Sequence, residues 1–224
     1  ITPPVKFTGY AELIERLKQN PDIEAATPAL SAPGLINLSG GNVRAVIISG
    51  IEPQSKAAVT GFGSCLLKQK ASAGAPVFTL PQMKGGVGGF LGIAVVAEPD
   101  EKTDEYDFAS IEKMIGQEVV VTTGSTSSPQ AGAASDGTEK VRRRVIKFTV
   151  SDIVFTGAYY LDKTFIYLPI EELQKVLQPG EAGKVADQIQ IKLAKGVSAE
   201  ESLTEIRQIW SRFAKDSLEW SDFM

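Results

Sequence analysis

The sequence predicts an α+β protein in which both chain ends build one split α+β unit and a β-rich unit is inserted between them. Three observations carry this. The first fifty and the last forty residues each supply an amphipathic helix beside strands, and each piece can bury only one face. The middle is dominated by extended segments, including one long hairpin. The 224 residues, 43% hydrophobic and 22% charged, suffice for a full core and fit ordinary globular usage. The expected boundaries are 1–53 with 182–224 for the unit of the chain ends, and 54–181 for the insertion.

Pro3 and Pro4 open the chain extended. Thr8 is placed to cap a helix in which Tyr10, Leu13, Ile14 and Leu17 recur at the helical period, and Asn20-Pro21 stops it. Extended segments follow at 23–30, 35–38 and 43–51, with Gly40-Gly41-Asn42 as a tight turn and Glu52-Pro53 as the stop. A short helix is expected over 59–70 and a strand over 90–97. The run Glu98, Asp100, Glu101, Asp104, Glu105 and Asp107 reads as a solvated loop without calcium-loop spacing.

Residues 118–123 and 141–155 read as the two arms of the hairpin. The small, polar residues 124–138 that join them exceed the usual hairpin loop several-fold and have no means of forming a core, so they should project into solvent. Lys140, Arg142, Arg143 and Arg144 follow directly. Such a cluster serves either to protect a strand edge or to face a partner. Next come a strand at 165–168 and a helix with Pro169 at its first position and Ile170, Leu173, Val176 and Leu177 inward. Residues 185–193 alternate as a half-buried strand. The capping box Ser198-Ala199-Glu200-Glu201 then opens a final helix, whose stripe Ala199, Leu203, Ile206, Trp210 and Phe213 is expected in the core.

Chemistry is sparse. The chain has no His, which removes Ser-His-Asp and Cys-His catalysis and His-ligated metal. The single Cys65 forbids an internal disulfide and reads as a structural thiol. Gly85-Gly86-Val87-Gly88-Gly89 fits no phosphate-loop register and precedes a strand, so these glycines are expected to approach neighbouring backbone. Ser64 lies outside a G-x-S-x-G elbow. No catalytic residue, cofactor or metal is assigned. A net charge of −4 argues against nucleic acid as partner. No stretch approaches the ~18 apolar residues of a membrane span. The chain begins at Ile1 as an excised fragment would, without an initiator Met.

Several segments in fixed order resemble a known family. Gly50-Ile51-Glu52-Pro53 is similar to its G-I/V-D-P signature, and Ile115–Val121 to its G-D-x-V-x-V strand. The run 148–157 resembles its F-x-V-v-G-I-f-x-T-G, with Asp152 standing where the family has Gly. Ile189–Leu193 and Glu219–Asp222 resemble its closing motifs. These are features of the extracytoplasmic domain of FtsX-like ABC-transporter permeases, of lipoprotein-releasing (Lol) or MacB type. The resemblance implies a non-catalytic domain in the periplasm or extracellular space, set between transmembrane helices absent from this fragment. It further implies a membrane-proximal porter-like unit, a sabre-like insertion and an ATPase in a separate subunit or domain. It implies coupling of ATP-driven helix motion to handling of lipoprotein, lipid or a partner protein, with a chaperone or, in the MacB type, an adaptor as possible partners. In Lol permeases the aligned hairpin loop is a hook for the chaperone, which singles out Ser128, Pro129 and Gln130 with Arg142, Arg143 and Arg144. A soluble carboxylate or Ser–Lys hydrolase is the alternative of another class.

Overall fold

The computed structural model describes residues 6–38, 41–71, 74–83, 85–126, 141–178 and 184–217. The expected α+β class holds: helices pack on a mixed sheet that closes on itself. Strand β1 (Phe7–Thr8) leads into α1 (Tyr10–Lys18), which buries Tyr10, Leu13, Ile14 and Leu17 as their spacing requires. Thr8 does not cap this helix. It pairs with Val185, and Gly9 takes the cap position at φ 70°.

The long strand β2 (Ile23–Leu38) organises the molecule because it changes partners midway. Its first half pairs with β9 (Gln188–Leu193). From Ala29 onward it pairs with β3 (Asn42–Ile51), and over 34–37 also with β5 (Glu118–Thr126). The strands β4 (Gly88–Gly92), β6 (Val141–Val154) and β7 (Phe165–Pro169) complete the circuit β2-β3-β7-β4-β6-β5, a closed six-stranded barrel from which the first half of β6, paired with β5 alone, extends. Gly34 lies on its inner face, where a Cβ would meet Ile48 and Val121 at 2.9–3.0 Å.

Leu30, Ile36, Ile48, Leu91, Val121, Phe148, Ile153, Ile166 and Leu168 fill the barrel. Helix α6 (Ile170–Leu177) touches five of its strands and plugs one end with Ile170, Leu173 and Leu177. A second cluster joins Phe7, α1, Ile23 and Ala26 to Ala186 of β8 (Val185–Ala186) and Phe213 of α7 (Ala199–Ser217). In this cluster the two ends of the described chain meet: Phe7 lies edge-on to Trp210 at 5.2 Å, and Arg16 pairs with Asp216 at 2.9 Å. Gln174 ties the two clusters together, donating to Tyr10 Oη and to the Val185 carbonyl.

Of the glycines expected to approach neighbouring backbone, only Gly88 does so, and it lies within β4 together with Gly89; Gly85 and Gly86 face open space at positive φ. A Cβ on Gly88 would collide with the Phe78 carbonyl and Ser151 Oγ, and one on Gly89 with Leu168 and Phe148 at 2.6 Å. Other local expectations shift. The helix expected at 59–70 forms instead as α2 (Pro53–Thr60), started by Pro53 and ended by Gly61 at φ 66°. The strand expected to reach 97 stops at Gly92 and turns into the short α3 (Ile93–Val96). Pro169 is the cap of α6 rather than its first residue. On α7, Ala199 and Leu203 face solvent while Ser202 turns inward beside Ile206 and Phe213.

Candidate interaction surfaces

The hairpin of β5 and β6 is antiparallel, with Glu118 opposite Thr149 and Thr126 opposite Val141. Ser128, Pro129 and Gln130, in the sequence between its two arms, lie outside the described residues, as does Lys140. Arg142, Arg143 and Arg144 sit on β6 opposite Ser125, Gly124 and Thr123. The side chain of Arg142 is also outside the description. Strand alternation separates the other two. Arg143 is exposed on the outer face, 3.5 Å from Thr122 Oγ1, while Arg144 is half-buried beside inward-facing Thr123.

The register also assembles a surface that the sequence reading did not contain. Val145 lies opposite Thr122, Thr122 opposite Leu35, and Leu35 opposite Ala45, with Val43 two residues along β3. Leu35, Val43 and Val145 are each more than half exposed. They form an apolar row on the outside of the barrel that continues into Arg143. Strand alternation is the signal for each residue separately; the row itself needs the pairing of four strands.

A second surface lies at the far end of β6. The loop 98–106 after α3, the residues following β6 and helix α5 (Tyr159–Thr164) line a cleft of about 660 Å³, and helix α4 (Phe108–Glu112) follows that loop. Tyr106, Phe155 and Tyr159 wall it, with Glu98, Asp100, Glu101 and Asp104 around them. Tyr106, Phe108 and Phe155 form a mutually edge-on trio with centroids 5.8–6.5 Å apart. The floor is set by Asp162, whose buried carboxylate accepts from Thr156 N–H and Oγ1 at 2.8 Å and from Gly157 N–H at 3.1 Å. Glu98 accepts from Tyr159 Oη and pairs with Arg44, while Lys163 donates to Tyr159 Oη, 5.2 Å from the centroid of the same ring. Burial, reinforced by Asp162 and neighbouring carboxylates, pushes the Tyr106 phenol upward, so it stays neutral.

The residues a Ser–Lys enzyme would need lie apart in their contacts. Ser64 Oγ donates to the Gly61 carbonyl. Ser55 Oγ contacts Thr27 Oγ1 at 2.7 Å and Glu52 at 3.1 Å, whereas the neighbouring Lys56 donates to Gln190. Burial pulls the Lys56 ammonium down from its usual value. Cys65 is half-buried and packs beside Phe62 and Leu66. Among the described residues no cluster of three His, Cys, Asp or Glu converges on a metal position. Among the same residues no helix is long and apolar enough to cross a membrane.

No protein-family model matches the chain, and no curated protein matches it significantly. Solved structures do. The periplasmic region of MacB from Actinobacillus actinomycetemcomitans is 12% identical with a TM-score of 0.48, over 91% of this chain and 73% of that one. The extracellular domain of the noncanonic ABC-type transporter YknZ from Gram-positive bacteria is 13% identical with a TM-score of 0.47, over 94% and 86%. A domain of a Porphyromonas gingivalis protein described as a permease is 12% identical with a TM-score of 0.43, over 92% and 77%.

Proposed function

We propose that this chain is the extracytoplasmic domain of an FtsX-like ABC-transporter permease, coupling ATP-driven movement of membrane helices to handling of a lipoprotein, lipid or partner protein. One observation supports it most: the residues nearest the two ends pack on each other, Phe7 on Trp210 and Arg16 on Asp216. A domain inserted between two membrane helices requires this geometry, since both connections must leave from one side. The motif order supports it too. Gly50–Pro53 is the exit of β3 into α2, 116–121 the entry of β5, and 148–157 the second half of β6 with the turn after it.

In this reading the chain-end unit is the membrane-proximal, porter-like one and the insertion is sabre-like. The boundaries are 1–53 with 182–224 for the first and 54–181 for the second; within the first, β2 changes partner from β9 to β3 near Ala29. The domain carries no nucleotide site of its own; a separate ATPase supplies the energy. The partner surface is the hairpin: Ser128, Pro129 and Gln130 between its arms, Arg142, Arg143 and Arg144 at its root, and the row Leu35, Val43 and Val145 beside them. Lipoprotein release is the favoured subtype, because residues 124–140 align in sequence with the hook loop of the Lol permeases that the motifs resemble; in the efflux subtype the same segment would meet an adaptor protein.

The test is deletion of residues 125–138 in the full-length permease together with its ATPase. Substrate export should fall sharply while ATP hydrolysis persists. Unchanged export would remove the hairpin from the mechanism.

A further inference from the structure

We propose that the aromatic cleft between the 98–106 loop and α5 docks a basic, extended segment of a partner protein, whose Arg or Lys side chains enter between Tyr106, Phe155 and Tyr159. The inference stands on the cleft alone and does not depend on the permease reading.

Size and composition come first. A space of about 660 Å³ walled by three aromatic rings is in the range of binding pockets rather than packing defects. The aromatic surface continues outward: Phe108, Phe155, Tyr159, Tyr160 and Leu161 are all exposed, Tyr160 at 68%. Five large apolar side chains gathered at one place on a folded domain form a patch of the kind that partners cover.

Charge selects the occupant. Glu98, Asp100, Glu101 and Asp104 ring the opening, so an incoming cation meets complementary potential. Arg44 and Lys163 of the chain itself both engage Glu98, but Glu101 and Asp104 stand exposed to solvent. Lys163 shows that a cation is accepted at the rim: its ammonium donates to the Tyr159 hydroxyl at 2.9 Å, 5.2 Å from that ring's centroid, and leaves the Phe155 and Tyr106 faces unoccupied by it. A partner's cation on the Phe155 or Tyr106 ring would use the same attraction. A small polyamine would fill the cleft yet leave Phe108, Tyr160 and Leu161 uncovered. A peptide carrying apolar residues between its basic ones covers both.

The test titrates the intact 224-residue chain with a dye-labelled octapeptide alternating Arg and Leu. An alternating Glu/Leu peptide and spermidine are run in parallel, all at low ionic strength. The Arg/Leu peptide should bind and the Glu/Leu peptide should not. Glu101→Gln with Asp104→Asn should weaken binding roughly fivefold, and Phe155→Leu by a similar factor. Thr204→Ala, exposed on α7 and no part of the cleft lining, should leave it unchanged. Thermal midpoints of all variants establish that they are folded, and peptide-induced hydrogen-exchange protection should centre on 98–108 and 155–163. Absence of binding, or binding insensitive to the cleft variants, overturns the proposal. So does spermidine displacing the peptide at equal affinity, which would make the cleft a small-polycation site.

Discussion

Asp152 puts a fully buried carboxylate two residues before the end of β6, and its position is explained by what it receives. Its oxygens accept from the backbone N–H groups of Lys68, Gln69 and Ile153 at 2.8–3.3 Å, holding the turn at 66–71 against the barrel. Asp152→Gly would leave the Lys68 and Gln69 donors unpaired, and a loss of ~3 kcal/mol is expected in urea unfolding. Gly88→Ala should cost a similar ~3 kcal/mol, because the added methyl has only the Phe78 carbonyl and Ser151 to push against. Asp187 is a different case. It breaks β8 from β9 and accepts from Ser31 N–H at 2.8 Å, but its Oδ1 is buried without a partner. Burial raises its carboxyl above the usual 3.8. A carboxyl raised in the folded state favours folding when protonated and loses that contribution as pH rises through the folded value. Asp187→Asn should therefore match or exceed the parent in stability at pH 7, and the parent should gain on the variant as the solution is acidified towards pH 3. A constant difference across that range would exclude the titration as its cause.

At the scale of elements, α7 is the piece on which the chain-end unit depends. Phe213 is wholly buried against Gly9 and Trp210, and Arg16 lies 5.7 Å over its ring. Phe213→Ala should cost ~3–5 kcal/mol and raise hydrogen exchange in α1 and β1 before the barrel strands. Uniform loss across the barrel would mean that the two clusters unfold as one. The elements readable in the sequence were those with local pattern. The apolar run of β3, the alternation of β5 and β6, and the spacing of Tyr10, Leu13, Ile14 and Leu17 each reflect a face that one element buries by itself. The misread ones were decided by neighbours. Gly92 ends β4 because the Asp162 carbonyl leaves no room for a side chain there, and Leu203 points outward because Ser202 occupies the inward position. Both interaction surfaces fail local reading for the same reason. The row of Leu35, Val43 and Val145 needs strand register, and the cleft joins residues 98–106 to 155–162. From the sequence only the acidity of the first half of that cleft was visible.

Across the whole molecule the barrel has two unlike ends. β2 enters β9's pairing, β3 delivers Ile51 to α2, and α6 plugs the interior at one end, beside the cluster that holds both chain ends. The aromatic cleft sits at the other, where β6 finishes; fourteen residues at ~3.3 Å each put it about 45 Å along that strand from the hairpin. Arg143→Glu, on the exposed outer face, should leave the unfolding midpoint unchanged within ~0.5 kcal/mol while reducing partner capture by the full-length permease. A stability loss instead would assign Arg143 to edge protection. The central claim is that this domain lies outside the cytoplasm, tethered through both ends. Its most direct test is a membrane-impermeant maleimide applied to intact cells that express the full-length gene with Ser211→Cys in a Cys65→Ser background. Labelling without lysis, on a protein that stays in the membrane fraction after alkaline carbonate washing, is the expected result. Labelling only after lysis, or release into the wash, would contradict it.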